Sequence, residues 1–250
     1  MIYWTLKEAE GELLGLLADP NQNIFSENEL ARCNKMKIEK RKKEWVLGRM
    51  TAKTLLSSDG LPYAGQSMSS ILIDNQPEGA PYLPNAIVAG SLSISHREDI
   101  AVAAYTSLQS THLGIDLEKI EPREMSFVED FFTEAEADYT MQLTGEAQTV
   151  WITLVWSAKE AVLKAWQKGL RLDTRSIEIH PIDPNLLITK PPTWQPMRWQ
   201  ANIAGYPHCW LGWQRLNDFI LTLAYTTPES KNPADSLEIH RVDLKNFPIT

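Results

Sequence analysis

The sequence predicts an α+β fold, and three observations carry that expectation. Short apolar runs rich in β-branched residues recur along the chain between turn residues, as antiparallel strands require. Two helical stretches open on capping boxes, Ser26-Glu27-Asn28-Glu29 and Thr133-Glu134-Ala135-Glu136. Both halves also run from helices into strands. This loose repetition suggests two related subdomains, taken as residues 1–110 and 111–250.

In chain order, Ile2-Tyr3-Trp4-Thr5-Leu6 reads as an opening strand, followed by a helix from the first capping box to about residue 36 and a second over about 39–57. The second carries Trp45, Leu47, Ala52 and Leu55 as apolar positions, with Arg41, Lys42, Lys43, Arg49 and Lys53 making its other side positive. Residues 60–70 read as loop. Strands are expected at 71–74, 86–89, 91–95 and 100–105, with Ser95-His96-Arg97-Glu98-Asp99 as the turn between the last two. Leu113–Leu117 reads as a further strand. Helices then follow at about 125–132, 134–142 and 147–168, the last stopping at Gly169. Beyond it the pattern is β, at 176–179, 197–201, 209–213, 219–225 and an edge strand within 237–242, with a loop at 228–233.

Composition restricts the function classes. Of the 250 residues 43% are hydrophobic and 22% charged, the balance of a packed globular protein. A net charge of −8 argues against non-specific nucleic-acid or anionic-membrane binding, so an acidic ligand would have to meet a local basic patch. Residues 35–43, Lys-Met-Lys-Ile-Glu-Lys-Arg-Lys-Lys, form one. With neither a spanning apolar run nor a signal-like N-terminus, the chain is expected to be cytoplasmic. Cys33 and Cys209 lie far apart without Cys-x-x-Cys spacing, so packing is their expected role.

Charge also appears where a core is expected. Asp116 and Glu118, at i and i+2 of an apolar strand, share one face, and a cation must offset their repulsion unless they face solvent at a strand end. On the long helix, Trp156-Ser157-Ala158-Lys159-Glu160-Ala161-Val162-Leu163-Lys164 sets Glu160 and Lys164 at i and i+4. Such a pair is either an ordinary surface ion pair or part of a site. His96, between a hydroxyl and an arginine, could equally be exposed or a phosphate contact.

These segments together resemble a known family. Ser95-His96, then Gly114-Ile115-Asp116-Leu117-Glu118, then Trp156-Ser157-x-Lys159-Glu160-Ala161-x-x-Lys164 and Gly169-Leu170 are similar to the ordered motifs of the 4′-phosphopantetheinyl transferases. Their spacing resembles the Sfp type, whose single chain holds two pseudo-symmetric halves, each an antiparallel sheet packed with helices. The resemblance implies transfer of the 4′-phosphopantetheine arm from coenzyme A to a serine of an apo acyl, polyketide or peptidyl carrier protein, releasing adenosine 3′,5′-bisphosphate. It further implies that Asp116, Glu118 and Glu160 hold Mg²⁺. Glu160 and Lys164 take the catalytic roles, while Arg49, Ser95, His96, Lys159 and Lys164 contact coenzyme A. The implied enzyme is a monomer. Gly79-Ala80-Pro81 departs from the family's Gly-Lys-Pro, which shifts coenzyme A binding toward Arg49, His96 and the basic run that includes Arg41 and Lys42. A non-catalytic module that binds carrier protein or coenzyme A is the alternative from another class.

Overall fold

The computed structural model describes residues 1–9, 13–17, 23–86, 88–189, 191, 193–226 and 237–243. It divides into two units, Met1–Gln109 joined by a C-terminal strand, and Ser110–Ser236. The first contains β1 (Ile2–Glu8), α1 (Glu27–Asn34), α2 (Glu39–Leu56), β2 (Asp74–Asn75), β3 (Pro81–Tyr82), β4 (Ser91–Arg97) and β5 (Ile100–Thr106). The second contains β6 (Leu113–Lys119), α3 (Met125–Phe131), α4 (Glu134–Gln142), α5 (Gly145–Ala165), β7 (Ile177–Ile179), α6 (Pro184–Ile188), β8 (Gln195–Pro196), β9 (Trp199–Ala201), β10 (Cys209–Leu216) and β11 (Phe219–Thr226). The last described strand, β12 (Ile239–Arg241), pairs in parallel with β1 and so belongs with the sheet of the first unit.

Each unit is a long helix on an antiparallel sheet, and the two have one topology. In the first, the sheet order is β12-β1-β5-β4 with α2 against β5, β4 and β1. In the second it is β6-β11-β10-β8 with α5 against β6, β11 and β10. Each opens on a strand, continues through its long helix and ends in a hairpin whose second strand pairs antiparallel with the opening strand. The α+β prediction is thus met, with the parallel β12 as the one addition to antiparallel pairing among the described strands.

The core of the second unit gathers on α5, where Trp151, Leu154, Val155, Ala158 and Val162 pack on Leu211, Trp213 and Ile220. Burying each large apolar side chain contributes about 1.5–3 kcal/mol, so this face fixes the helix on its sheet. The closest approach is at Gly114 of β6. A Cβ added there would stand 1.8 Å from the Ala161 carbonyl oxygen and 2.6 Å from the Ala165 nitrogen. Only the absence of a side chain lets the helix backbone lie directly on the strand.

Both capping boxes form, and each anchors a long helix in the same way. Glu29 and Glu136, at the third helical position, cap the backbone of Ser26 and Thr133. Glu29 also pairs with Lys53 of α2, and Glu136 pairs with Lys159 of α5 at 2.6 Å. Lys53 donates further to the Ile24 carbonyl and Lys159 to the Phe131 carbonyl, each lying two residues before the cap. Each ammonium also lies over the ring of the residue just before the cap, Phe25 at 5.6 Å and Phe132 at 5.4 Å. Both lysine side chains are 0% exposed. Burial pushes the two lysines down and Glu136 up, while the opposite charge of each partner works against that shift.

Several expected elements differ. Ile71 and Ile73 are buried in the first unit's core without strand pairing, and only Asp74 of the expected 71–74 strand enters β2. Burial alone explains their apolar character. Ala86, Val88 and Ala89, which follow a turn at Pro84-Asn85, form no strand, and Ile87 lies outside the described residues. His96 and Arg97 continue β4 and are not part of the turn, which narrows to Glu98-Asp99 with Glu98 at φ 54°. Arg49 and Lys53 are buried and are not part of a solvated basic face. The expected loop at 228–233 lies outside the described residues. No helix among the described residues is long and apolar enough to cross a membrane.

Gly114→Ala is expected to force α5 off β6 and destabilise the protein by about 3 kcal/mol, the upper range for overpacking. Urea unfolding of the variant beside the wild type checks this, and an unchanged midpoint would contradict the close approach.

Candidate active site

Strand alternation places Asp116 and Glu118 on one face of β6, while α5 supplies Trp156, Glu160 and Lys164 at i, i+4 and i+8, a single stripe. Because α5 rests on β6 at Gly114, these side chains meet. Lys164 Nζ donates to Asp116 Oδ1 at 2.6 Å and to the Ile115 carbonyl at 3.1 Å. Ser157 Oγ donates to Asp116 Oδ2 at 2.8 Å, and the Thr222 hydroxyl donates to the Ser157 carbonyl at 2.9 Å. Glu118 is held separately. Its Oε1 accepts from Trp156 Nε1 at 3.0 Å and its Oε2 from Arg123 Nη2 at 2.9 Å.

Glu160 is half-buried, and its Oε1 is shut off from solvent without a hydrogen-bond partner. Burial raises its carboxyl to about 7, Lys164 opposes the rise, and the charges of Asp116 and Glu118 add to it. Two cations, Lys164 and Arg123, pair with two of these three carboxylates. Glu160, set beside both, keeps its proton up to about pH 7. Among the described residues, no group of three or more His, Cys, Asp or Glu is already drawn together as a metal site. The donor set nevertheless fits a hard divalent cation. Carboxylate oxygens are its preferred ligands, and Glu160 Oε1 is a buried acceptor with nothing donating to it.

Lys159 is placed elsewhere. Its ammonium is enclosed by Glu136, the Phe131 carbonyl and the Phe132 ring, with no exposed surface left for a phosphate. It sits beside Glu160 in sequence, but one helical step turns it about 100° around the axis, into the core.

In the first unit, a cavity of about 190 Å³ is lined by Arg32, Trp45, Gly48, Arg49, Asn75 and His96 among others. Arg49 Nη2 donates to Asn75 Oδ1 at 2.5 Å, and its guanidinium lies 5.4 Å from the centre of the Trp45 ring. Arg49 Nη1 and Trp45 Nε1 are buried donors without a hydrogen-bond partner. Burial lowers Arg49 to about 10, mainly by desolvation, so the guanidinium still carries its charge at neutral pH. The cavity thus offers donors and positive charge to an anion or a heteroaromatic acceptor. Gly48 keeps it open, since a Cβ there would meet Ile94 at 3.1 Å. His96 is among the residues that line it. Ser95 is not, because it occupies the opposite face of β4 and is buried there.

Sequence reasoning passed over Arg123, Arg32, Trp45 and Asn75 as site residues. Arg123 stands among turn residues after β6, and Asn75 in a run that reads as a strand end. Only Trp45, one helical turn before Arg49, carried a usable signal.

Comparison with known proteins fits both halves of this arrangement. The 4′-phosphopantetheinyl transferase superfamily matches residues 112–224, and the 4′-phosphopantetheinyl transferase N-terminal domain matches residues 28–106. The chain is 27% identical over 191 residues to the 4′-phosphopantetheinyl transferase HetI of Nostoc sp., covering 74% of this chain and 76% of that protein. It is 30% identical over 114 residues to the 4′-phosphopantetheinyl transferase Sfp of Bacillus subtilis, covering 45% of this chain and 49% of that protein. A further 4′-phosphopantetheinyl transferase of Bacillus subtilis is 30% identical over 135 residues, covering 54% of this chain and 56% of its own.

The raised Glu160 carboxyl makes a prediction without reference to activity. In the folded protein Glu160 keeps its proton up to about pH 7, whereas the unfolded chain releases it near the ordinary glutamate value of 4.5. Its contribution is therefore present at low pH and is lost as pH rises through that window. Without divalent cation, Glu160→Gln should melt several degrees above the wild type at pH 8, on the order of the shift that ~1–2 kcal/mol produces. The gap should close by pH 4.5. Thermal melts across pH check this, and a gap independent of pH would contradict it.

Proposed function

The chain belongs to the Sfp-type 4′-phosphopantetheinyl transferases, and on that premise we propose that it moves 4′-phosphopantetheine from coenzyme A to a serine of an apo carrier protein in a Mg²⁺-dependent reaction. The observation that carries the chemistry is Glu160. It is a carboxyl raised to about 7, with an unpartnered oxygen, on the same stripe as Lys164. That value belongs to the cation-free site and a bound Mg²⁺ would lower it, so the base role rests on the oxygen that Glu160 leaves unpartnered and on its place beside Lys164.

In the reaction, the carrier serine oxygen bonds to the pantetheine-bearing phosphorus of the coenzyme A pyrophosphate as the bond to the second phosphate breaks. The serine proton passes to Glu160, directly or through a water. Lys164 neutralises or protonates the departing phosphate, and the products are the holo carrier and adenosine 3′,5′-bisphosphate. Asp116, Glu118 and Glu160 would hold Mg²⁺, which supplies charge stabilisation for the pyrophosphate oxygens. Asp116 is kept in place by Ser157, so it is pre-set for that role.

The 190 Å³ cavity of the first unit is the place for the nucleotide end of coenzyme A. Arg49, His96 and Arg32 supply the cationic or hydrogen-bonding groups, and Trp45 supplies a ring and an N–H. Arg32 and Arg49 provide the charge that Ala80 does not. Lys159 has no part in that contact. Acyl, polyketide and peptidyl carriers are the substrate class, and the enzyme works as a cytoplasmic monomer.

Incubation of apo carrier proteins with coenzyme A and Mg²⁺ should add about 340 Da to the carrier, the mass of the transferred group, seen by intact-protein mass spectrometry. Glu160→Gln should slow the gain by about 10²–10⁴-fold, as loss of a general base does, while the variant stays folded. No mass gain on any of a panel of carriers would overturn the reading, and a fully active Glu160→Gln would overturn the role of Glu160.

A further inference from the structure

Arg123 holds one carboxylate that the reaction needs. Its Nη2 donates to Glu118 Oε2 at 2.9 Å, while Trp156 Nε1 occupies Oε1, so both oxygens of Glu118 already accept a donor. The pair is largely shielded, with the two side chains 17% and 14% exposed. The guanidinium lies 4.5 Å from the centre of the Phe127 ring, and Phe127 in turn packs edge-on against Trp156 at 5.0 Å. Arg123 Nε is buried with no hydrogen-bond partner. The ring contact therefore adds to the hydrogen bond in holding the arginine over Glu118.

We propose that Arg123 is a positioning residue that acts as a built-in counter-ion, occupying Glu118 in place of the divalent cation and so setting the affinity of the carboxylate site for that cation. The inference rests on the reading of Asp116, Glu118 and Glu160 as the metal-holding set. Arg123 and a divalent cation compete for the same oxygen, because a carboxylate oxygen that takes a short charge-assisted bond is a poorer ligand. Cation binding through Glu118 requires the Arg123 contact to open. The aromatic cluster of Phe127 and Trp156 resists that opening, so whatever shifts α3 also shifts the cation affinity. Arg123 thereby keeps Glu118 neutralised until the pyrophosphate brings its own negative charge for the cation to meet.

The experiment is Mn²⁺ binding to the full chain without coenzyme A, followed by electron paramagnetic resonance of the free ion. Arg123→Gln should bind Mn²⁺ about tenfold more tightly than the wild type, the scale of one charge-assisted bond no longer competing. Arg123→Lys, which keeps the charge, should return most of the way to wild-type affinity. In a Glu118→Gln background the Arg123→Gln substitution should change nothing. Equal or weaker Mn²⁺ binding by a folded Arg123→Gln variant would overturn the proposal alone. No Mn²⁺ binding by wild type or variant would overturn it together with the metal reading beneath it. Should Arg123→Gln fail to fold, Phe127→Leu removes the ring that holds the guanidinium over Glu118 and should also tighten Mn²⁺ binding, and an unchanged Mn²⁺ affinity in that variant would be the overturning result.

Discussion

At Gly114 the α5 backbone passes so close to β6 that one methyl group would stand 1.8 Å from the Ala161 carbonyl oxygen. No side chain separates helix from strand there. Asp116, two residues further along the same face, is therefore carried straight to Ser157 and Lys164, and Glu160 is lowered among three other charged side chains. A wider spacing would admit water between the carboxylates and relax the desolvation that raises Glu160. The closeness of one backbone contact is thus what brings the charged side chains of two elements into one cluster.

The same helix divides its charges between structure and chemistry. Lys159 turns inward to Glu136, and breaking such a buried pair at one partner costs about 3–5 kcal/mol. Glu160 and Lys164 turn toward β6. The first unit repeats the inward half of this arrangement, in Phe25, Ser26, Glu29 and Lys53 for Phe132, Thr133, Glu136 and Lys159. It lacks the outward half. The residue after Lys53 is Thr54, whose hydroxyl donates to the Met50 carbonyl of its own helix. One scaffold therefore appears twice, with buried donors lining a cavity of the first unit and a cluster of carboxylates with Lys164 in the second.

Much of this was legible in the chain. Both capping boxes, the two long helices and the hairpins of each sheet follow from local pattern, and the family motifs lead directly to Asp116, Glu160 and Lys164. The failures have physical causes. The family resemblance implies a phosphate contact for Lys159, and its adjacency to Glu160 in sequence does not show that the helix turns its side chain to Glu136. Its partner Glu136 was visible only as a capping residue, since a cap signal does not reveal a second, long-range bond. Arg49 and Lys53 stand in sequence among the positive residues of α2, and their burial is not legible there because a buried cation looks like any other until its partner is located. Ser95 was grouped with His96, although strand alternation separates them once both lie in β4. The pairing of β12 with β1 depends on a contact across almost the whole chain, which no local pattern encodes.

The claim at the centre of this account is that α5 holds itself in place with Lys159 and does its chemistry with Glu160. Carrier modification by a Glu136→Gln/Lys159→Met double variant, measured per folded molecule in a single turnover, tests it most directly. The glutamine keeps an acceptor for the Ile179 N–H, and the methionine fills the apolar path of the lysine, so no lone charge is left buried. The account predicts a less stable protein that still transfers at a rate within about threefold of wild type, since no group used in the transition state has been removed. A well-folded double variant as inactive as Glu160→Gln would contradict it, and would place Lys159 in the reaction itself.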